Sequence, residues 1–252
     1  MITKGHQDLL RTLRGTFLLL TCVLASATQA QYGDAFERIL VPISVSSVPG
    51  AYGTLWSTEL WYRNNSPFPV AIQPLAVADA IPTIGRTELL PIGSFPAHAP
   101  GQILFVSRQG SEDVQFDLRL FNRADPWTTW GTKLPVVWER EFAAGVHLIN
   151  VPTGNDFRAA LRIYGFPEDW APGESAHVRI YSHDEQLLAE ARVSLHGVPR
   201  YGAILSLSDT FPHIRQKDRV RVHVESGRAA KLWAFVSVTS NATQFVSVVT
   251  PE

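Results

Sequence analysis

The chain is 252 residues long, 45% apolar and 18% charged, with 17 Gly, 17 Pro, one Cys and a formal net charge of −1. The apolar content excludes intrinsic disorder, the glycine content excludes collagen, and a single Cys excludes a disulfide scaffold or a Cys-rich zinc module. A charge so near zero supplies no basic face for nucleic acid.

Residues 1–30 read as a cleaved signal peptide. Lys4, Arg11 and Arg14 form a basic start, the apolar run Phe17–Ala25 follows, and Ala25-Ser26-Ala27 and Thr28-Gln29-Ala30 offer small-residue cleavage points. The apolar run is about nine residues, where a membrane-spanning helix needs roughly twenty. Cys22 lies inside that run, which argues against lipid attachment. Removal of the leader leaves 19 basic and 22 acidic residues, a net charge of −3, and no Cys. A secreted or periplasmic protein without a membrane span is therefore expected.

Beyond the leader, two-residue alternation of β-branched and aromatic residues with polar ones dominates, broken by Pro and Gly. The first expected strand is Ile39–Val45, interrupted by Pro42. Trp56–Arg63 comes next, closed by Asn64-Asn65-Ser66-Pro67. Pro69–Val77, Gln102–Ser107 and Val114–Phe121 follow, the last with Val114, Phe116, Leu118 and Leu120 inward. After a loop with Pro126, Gly131 and Pro135 come Val146–Val151, Ala159–Tyr164, Ala176–Tyr181, Leu187–Leu195 and Tyr201–Leu207. Ser208-Asp209-Thr210-Phe211-Pro212 suits one capped helical turn. Arg219–Glu225, Lys231–Thr239 and Gln244–Thr250 complete the set.

Short strands at this spacing predict an all-β protein: two antiparallel β-sandwich (immunoglobulin-like) units in tandem after the signal peptide. The long, Trp-bearing loop Asn122–Lys133 places the division so that residues 31–132 form the first domain and 133–252 the second. No strict internal repeat is visible. Phe36-Glu37-Arg38 and Trp138-Glu139-Arg140 echo each other only briefly.

Three stretches carry a resemblance: Pro49-Gly50-Ala51-Tyr52-Gly53-Thr54-Leu55-Trp56-Ser57-Thr58-Glu59-Leu60, Glu139-Arg140-Glu141-Phe142, and Leu232 through Gln244. In these the chain resembles uncharacterised secreted β-rich proteins of environmental bacteria. The resemblance implies export and β architecture; it assigns no activity and no functional residue.

Motif chemistry is sparse. G-x-S-x-G, H-E-x-x-H, the phosphate-binding glycine loop and the EF-hand loop are all missing, so no catalytic residue, metal ligand or cofactor is expected. The best carboxylate pair is Glu139 with Glu141, which on a strand would share one face about 6.5–7 Å apart, a spacing that overlaps inverting glycosidases. Glu112, Asp113 and Asp117 form a similar group. His177 and His183, and His223 with Glu225, offer pairs where a metal needs three or four convergent ligands. Gly154-Asn155-Asp156 and His183-Asp184-Glu185 are no better as calcium loops.

Seven Trp residues are more informative. Trp56, Trp61 and Trp233 sit in strand patterns and are assigned to the core. Trp127 and Trp130, with Asp125 beside them, and Trp170 lie in loops. A loop Trp near acids and arginines suits sugar binding, the ring stacking on C–H faces while polar groups hold hydroxyls. Burial at a joint between sandwiches is the competing role. The expected function is a non-catalytic exported module that binds polysaccharide or a cell-surface protein through end loops. A structural or assembly component of the cell surface and a secreted glycoside hydrolase are the alternatives.

Overall fold

The computed structural model describes residues 35–74, 81–83, 87–90, 101–125, 130–166, 169–170, 173–195, 202–227 and 230–251. The leader, Trp127 and the end of the expected strand 69–77 lie outside the described residues. No helix among the described residues is long and apolar enough to cross a membrane.

The fold is all-β. Ten strands precede residue 139: β1 (Phe36–Val41), β2 (Val48–Pro49), β3 (Leu55–Asn64), β4 (Val70–Pro74), β5 (Ile81–Thr83), β6 (Thr87–Leu90), β7 (Gln102–Ser107), β8 (Val114–Asn122), β9 (Thr132–Leu134) and β10 (Val137–Trp138). Eight follow: β11 (Gly145–Pro152), β12 (Phe157–Gly165), β13 (Ser175–Tyr181), β14 (Leu187–Ser194), β15 (Gly202–Ser206), β16 (Arg219–Ser226), β17 (Leu232–Ser240) and β18 (Val246–Val249). One helical turn, α1 (Leu207–Thr210), falls where the sequence suggested it. Pro42 ends β1 instead of bending it, as expected of a residue without an N–H to give the ladder. The strands the sequence reading missed, β2, β5, β6, β9 and β10, have two to four residues, too few to show alternation.

Among the described residues all strand pairs are antiparallel and fall into four sheets. In the first half, β10-β1-β7-β4-β5 faces a sheet in which β2 and β6 pair end to end along one edge of β3, and β8 then β9 follow on its other edge. In the second half the sheets are β11-β16-β13-β14 and β15-β12-β17-β18. Taken in chain order, these are one plan used twice. β1-β7-β4-β5 corresponds to β11-β16-β13-β14, and β6-β3-β8-β9 to β15-β12-β17-β18; β2 and β10 are additions to the first copy. The repeat is one of pairing, invisible as sequence identity. The passage between the copies lies between Trp138 and Gly145, because β9 and β10 still pair with β8 and β1.

The brief echo between Glu37-Arg38 and Glu139-Arg140 has a physical meaning. The two dipeptides pair reciprocally: Arg38 donates to both oxygens of Glu139 at 2.9 and 2.5 Å, and Arg140 to both oxygens of Glu37 at 2.8 and 2.7 Å. These pairs lie beside the β1–β10 ladder, where Ile39 faces Trp138.

The sheet β15-β12-β17-β18 is covered on both faces. Along β17, Leu232, Ala234, Val236 and Val238 enter the core shared with β11-β16-β13-β14, while Trp233 and Phe235 enter the core of the first half. That is why seven successive residues of β17 are buried. Tyr164 of β12 joins the first-half core as well, and its hydroxyl donates to the Pro42 carbonyl. Burial raises the Tyr164 pKa to about 12, so the phenol stays a donor. Thr132 Oγ1 donates to Val246 O at 2.5 Å across the same junction.

Candidate functional site

The exposed aromatic residues decide where a ligand could be held. On β3, Thr58, Leu60, Tyr62 and Asn64 are buried, so the period of two sends Ser57, Glu59, Trp61 and Arg63 to the outer face. On β8, Leu118 and Leu120 are buried, which turns Gln115, Asp117, Arg119 and Phe121 outward. The register sets Trp61 opposite Asp117, Glu59 opposite Arg119 and Arg119 opposite Lys133.

Trp130, just before β9, is 78% exposed and Trp61 is 38% exposed. Arg119 stands between the two tryptophans and holds Trp130. Its Nε donates to Asp117 at 2.9 Å, its Nη1 donates to the Trp130 carbonyl at 2.8 Å, and its guanidinium lies 6.0 Å from the Trp130 ring centroid. Trp61 Nε1 donates to Glu59 at 3.2 Å, and Glu59 is ion-paired to Arg123, which in turn lies 4.8 Å from the Phe121 ring centre. Gly131 adopts φ +61°, and a Cβ there would press on the Leu120 carbonyl and the Phe121 ring. The glycine therefore lets the chain turn tightly enough to bring Trp130 over Arg119. Trp61 lies level with Asp117 and Trp130 beyond Leu120 on the far side of β8, so the two aromatic residues flank a strip of fixed donors and acceptors that crosses the sheet obliquely.

Of the residues singled out from sequence, Trp130 belongs to this face. Asp125 is half-buried in the turn after β8, where its N–H donates to Asn122 O at 3.2 Å. Trp127 lies outside the described residues. Trp170 is corrected: it is 4% exposed in the second-half core, against Gly165, whose missing side chain makes room for the indole. A ring enclosed in this way offers no face to a sugar. Trp61 was missed, although the signal was present. Trp56 and Trp61 differ in parity, so one strand cannot turn both into the same core.

The carboxylate pair is also corrected. Residues 139–141 form a 3-10 turn, and the two acids are separately engaged: Glu139 with Arg38, and Glu141 accepting from the Trp138 N–H at 3.2 Å. The Arg38 hydrogen bond holds the Glu139 carboxyl below its usual range against the opposing effect of burial. Asp117 is tied to Arg119, while Glu112 and Asp113 sit in a separate 3-10 turn. No group of three or more metal-ligating side chains occurs among the described residues.

Three histidines, His147, His177 and His223, gather on the outer face of β11-β16-β13. His147 and His223 are cross-strand partners whose rings stack 4.2 Å apart at 3°. Arg221, Arg179, His177 and Glu225 surround them, and Arg179 reaches Glu225 at 2.8 Å. Burial, then the neighbouring His147, keeps the His223 pKa below the ordinary imidazole value of 6.5. The unfolded chain then takes up the proton more readily, so this group's contribution to stability is full above about pH 6.5 and falls as pH drops towards the folded value. Thermal unfolding of His223→Gln against wild type is expected to show a Tm difference that changes between pH 7 and 5. A difference flat across that window would remove the coupling.

Comparison with family models, with curated proteins and with solved structures gave no match to this chain.

Proposed function

We propose that the chain is an exported, non-catalytic interaction module that binds polysaccharide at cell surfaces through the outer face of β3, β8 and β9. The observation that carries this reading is the pair of exposed tryptophans, Trp61 and Trp130, on one outer sheet face, with the Asp117–Arg119 ion pair between them. The rings provide stacking platforms for the C–H faces of pyranose units. Glu59, Asp117, Arg63, Arg119 and Lys133 provide hydroxyl partners between and beside them. Two platforms set apart across the sheet suit an extended polymer better than a single sugar.

Export rests on the basic and apolar leader and on the resemblance to secreted β-rich proteins. The two copies of the strand plan are read as tandem immunoglobulin-like domains. Support comes from β12 with β15 on one sheet and β13 with β16 on the other, as in strands B, E and C, F of that fold. Two departures stand out: the neighbour of β16 is β11, and β17, the strand that follows β16, pairs with β12 on the other sheet.

Titration of the purified protein with a panel of soluble polysaccharides and cell-wall fragments, read by tryptophan fluorescence, tests the proposal. A saturable shift is expected with at least one polymer. Trp61→Ala and Trp130→Ala should each weaken binding by roughly tenfold to a hundredfold, equivalent to the ~1.5–3 kcal/mol gained when a large side chain is covered. Because both rings are exposed, the Tm should hardly move. A folded protein indifferent to every polymer, or binding untouched by both substitutions, would overturn the assignment of this face.

A further inference from the structure

The same alternation that builds the second-half core also sets two arginines facing the first half. Ala159, Leu161 and Ile163 of β12 point into the core shared with β11-β16-β13-β14, so Arg158, Ala160 and Arg162 emerge on the opposite face, towards the junction. There they line a cleft of about 310 Å³. Its floor is the small cross-strand pair Ala160 and Ser237, flanked on either side by the arginines; these residues leave the space open. The opposite wall comes from the first half, with Ile43, Val45, Val48 and Trp56 as its apolar surface and Thr54 as a hydroxyl. Gly50 permits that wall, since a Cβ there would collide with Thr54 and the Trp56 ring.

The charge in this cleft is unbalanced. Arg158 and Arg162 both line it, and no carboxylate does so among the described residues. Arg158 donates to Gln244 Oε1 at 2.6 Å and lies 5.2 Å from the Tyr52 ring centre; Arg162 lies against the Tyr164 hydroxyl. Those contacts are with neutral groups, and the Nε of both arginines is enclosed without an acceptor among the described residues. Half-buried cations without a counter-charge are costly, and planar guanidinium forks match a carboxylate in geometry. A largely apolar cleft at the joint of two sandwiches, with a few convergent polar groups and this volume, has the general form of a small-molecule site.

We propose that this junction cleft binds a small organic carboxylate with an apolar body about the size of an aromatic acid. The carboxylate lies between Arg158 and Arg162, and the apolar body packs on Trp56, Val45 and Val48. The hydroxyl oxygens of Thr54 and Ser237, which donate to Ala51 O and Ala160 O, together with Thr239 can accept from polar substituents. The site is separate from the Trp61–Trp130 face and does not depend on the glycan reading.

Isothermal titration calorimetry of the purified protein with naphthalene-2-carboxylate, and with 2-naphthalenemethanol as its uncharged counterpart, tests the charge requirement on the wild-type chain. One site per chain is expected, with the acid bound at least tenfold more tightly than the alcohol and more weakly as salt is raised. Arg158→Met and Arg162→Met keep the apolar stems and should each weaken the acid tenfold or more without changing binding of the alcohol. Trp130→Ala should leave both ligands unaffected. Equal affinity for acid and alcohol, no saturable heat with the acid at millimolar concentration, or unchanged acid binding in a folded Arg158→Met/Arg162→Met double variant would each overturn the proposal.

Discussion

Phe235→Ala is expected to cost about 3–5 kcal/mol of stability, the range for emptying a buried aromatic site. At this chain length that is a fall in Tm of roughly 10 °C. The ring is fully buried, stacks 6.2 Å from Tyr164 at 4° and lies 5.4 Å from Trp233. Its strand belongs to the second half, but its neighbours belong to the core of the first. The loss should therefore appear in both halves at once. Near-UV circular dichroism and hydrogen exchange of the β1–β7 and β11–β16 ladders are expected to shift together. A variant that loosens β12 and β17 while β1 and β7 keep wild-type protection would show that the junction contributes little to the first sandwich.

Trp170→Ala should be comparably damaging, at about 3–5 kcal/mol. The indole is sealed in the second-half core, and Gly165 stands directly against its ring edge. Trp170→Phe should be far milder, ~1 kcal/mol, since it keeps most of the apolar volume and removes an indole N–H with no acceptor among the described residues. Chemical denaturation of the two variants separates the roles. If Trp170→Ala unfolded at the wild-type midpoint, the ring would have to lie outside the core. Polysaccharide binding by Trp170→Phe is expected to equal that of wild type, in contrast to Trp130→Ala.

These two residues show where alternation is legible and where it stops. The half-buried strands declare themselves: Val114–Phe121, Ala176–Tyr181 and Arg219–Glu225 alternate in sequence and do so in burial. The run Leu232–Val238 reads as a strand, but sequence cannot say that its two faces serve different cores, because both faces are apolar. Trp170, set among Pro and Gly, has the surroundings of an exposed loop. Its burial depends on a glycine five residues earlier in sequence that faces it only once β12 is folded. Glu139 and Glu141 mislead for another reason. Spacing of two implies a shared face only on a strand, and the reciprocal arginine pairs hold this segment in a 3-10 turn instead. The arginine pair at the junction was unreadable as a site, since the wall that closes the cleft comes from residues 43–56.

The sheet with two covered faces also constrains the order of assembly. The chain emerges with β1 to β10 ahead of β17, so the pole of the first sandwich is already laid out, though still short of its last core residues, when Tyr164, Trp233 and Phe235 arrive to complete it. In the reverse order those three aromatic rings would stand exposed on a completed sheet, a sticky surface waiting for its cover. Vectorial synthesis thus matches the polarity of the junction: the earlier half is the lid, and the later half brings the surface that needs one.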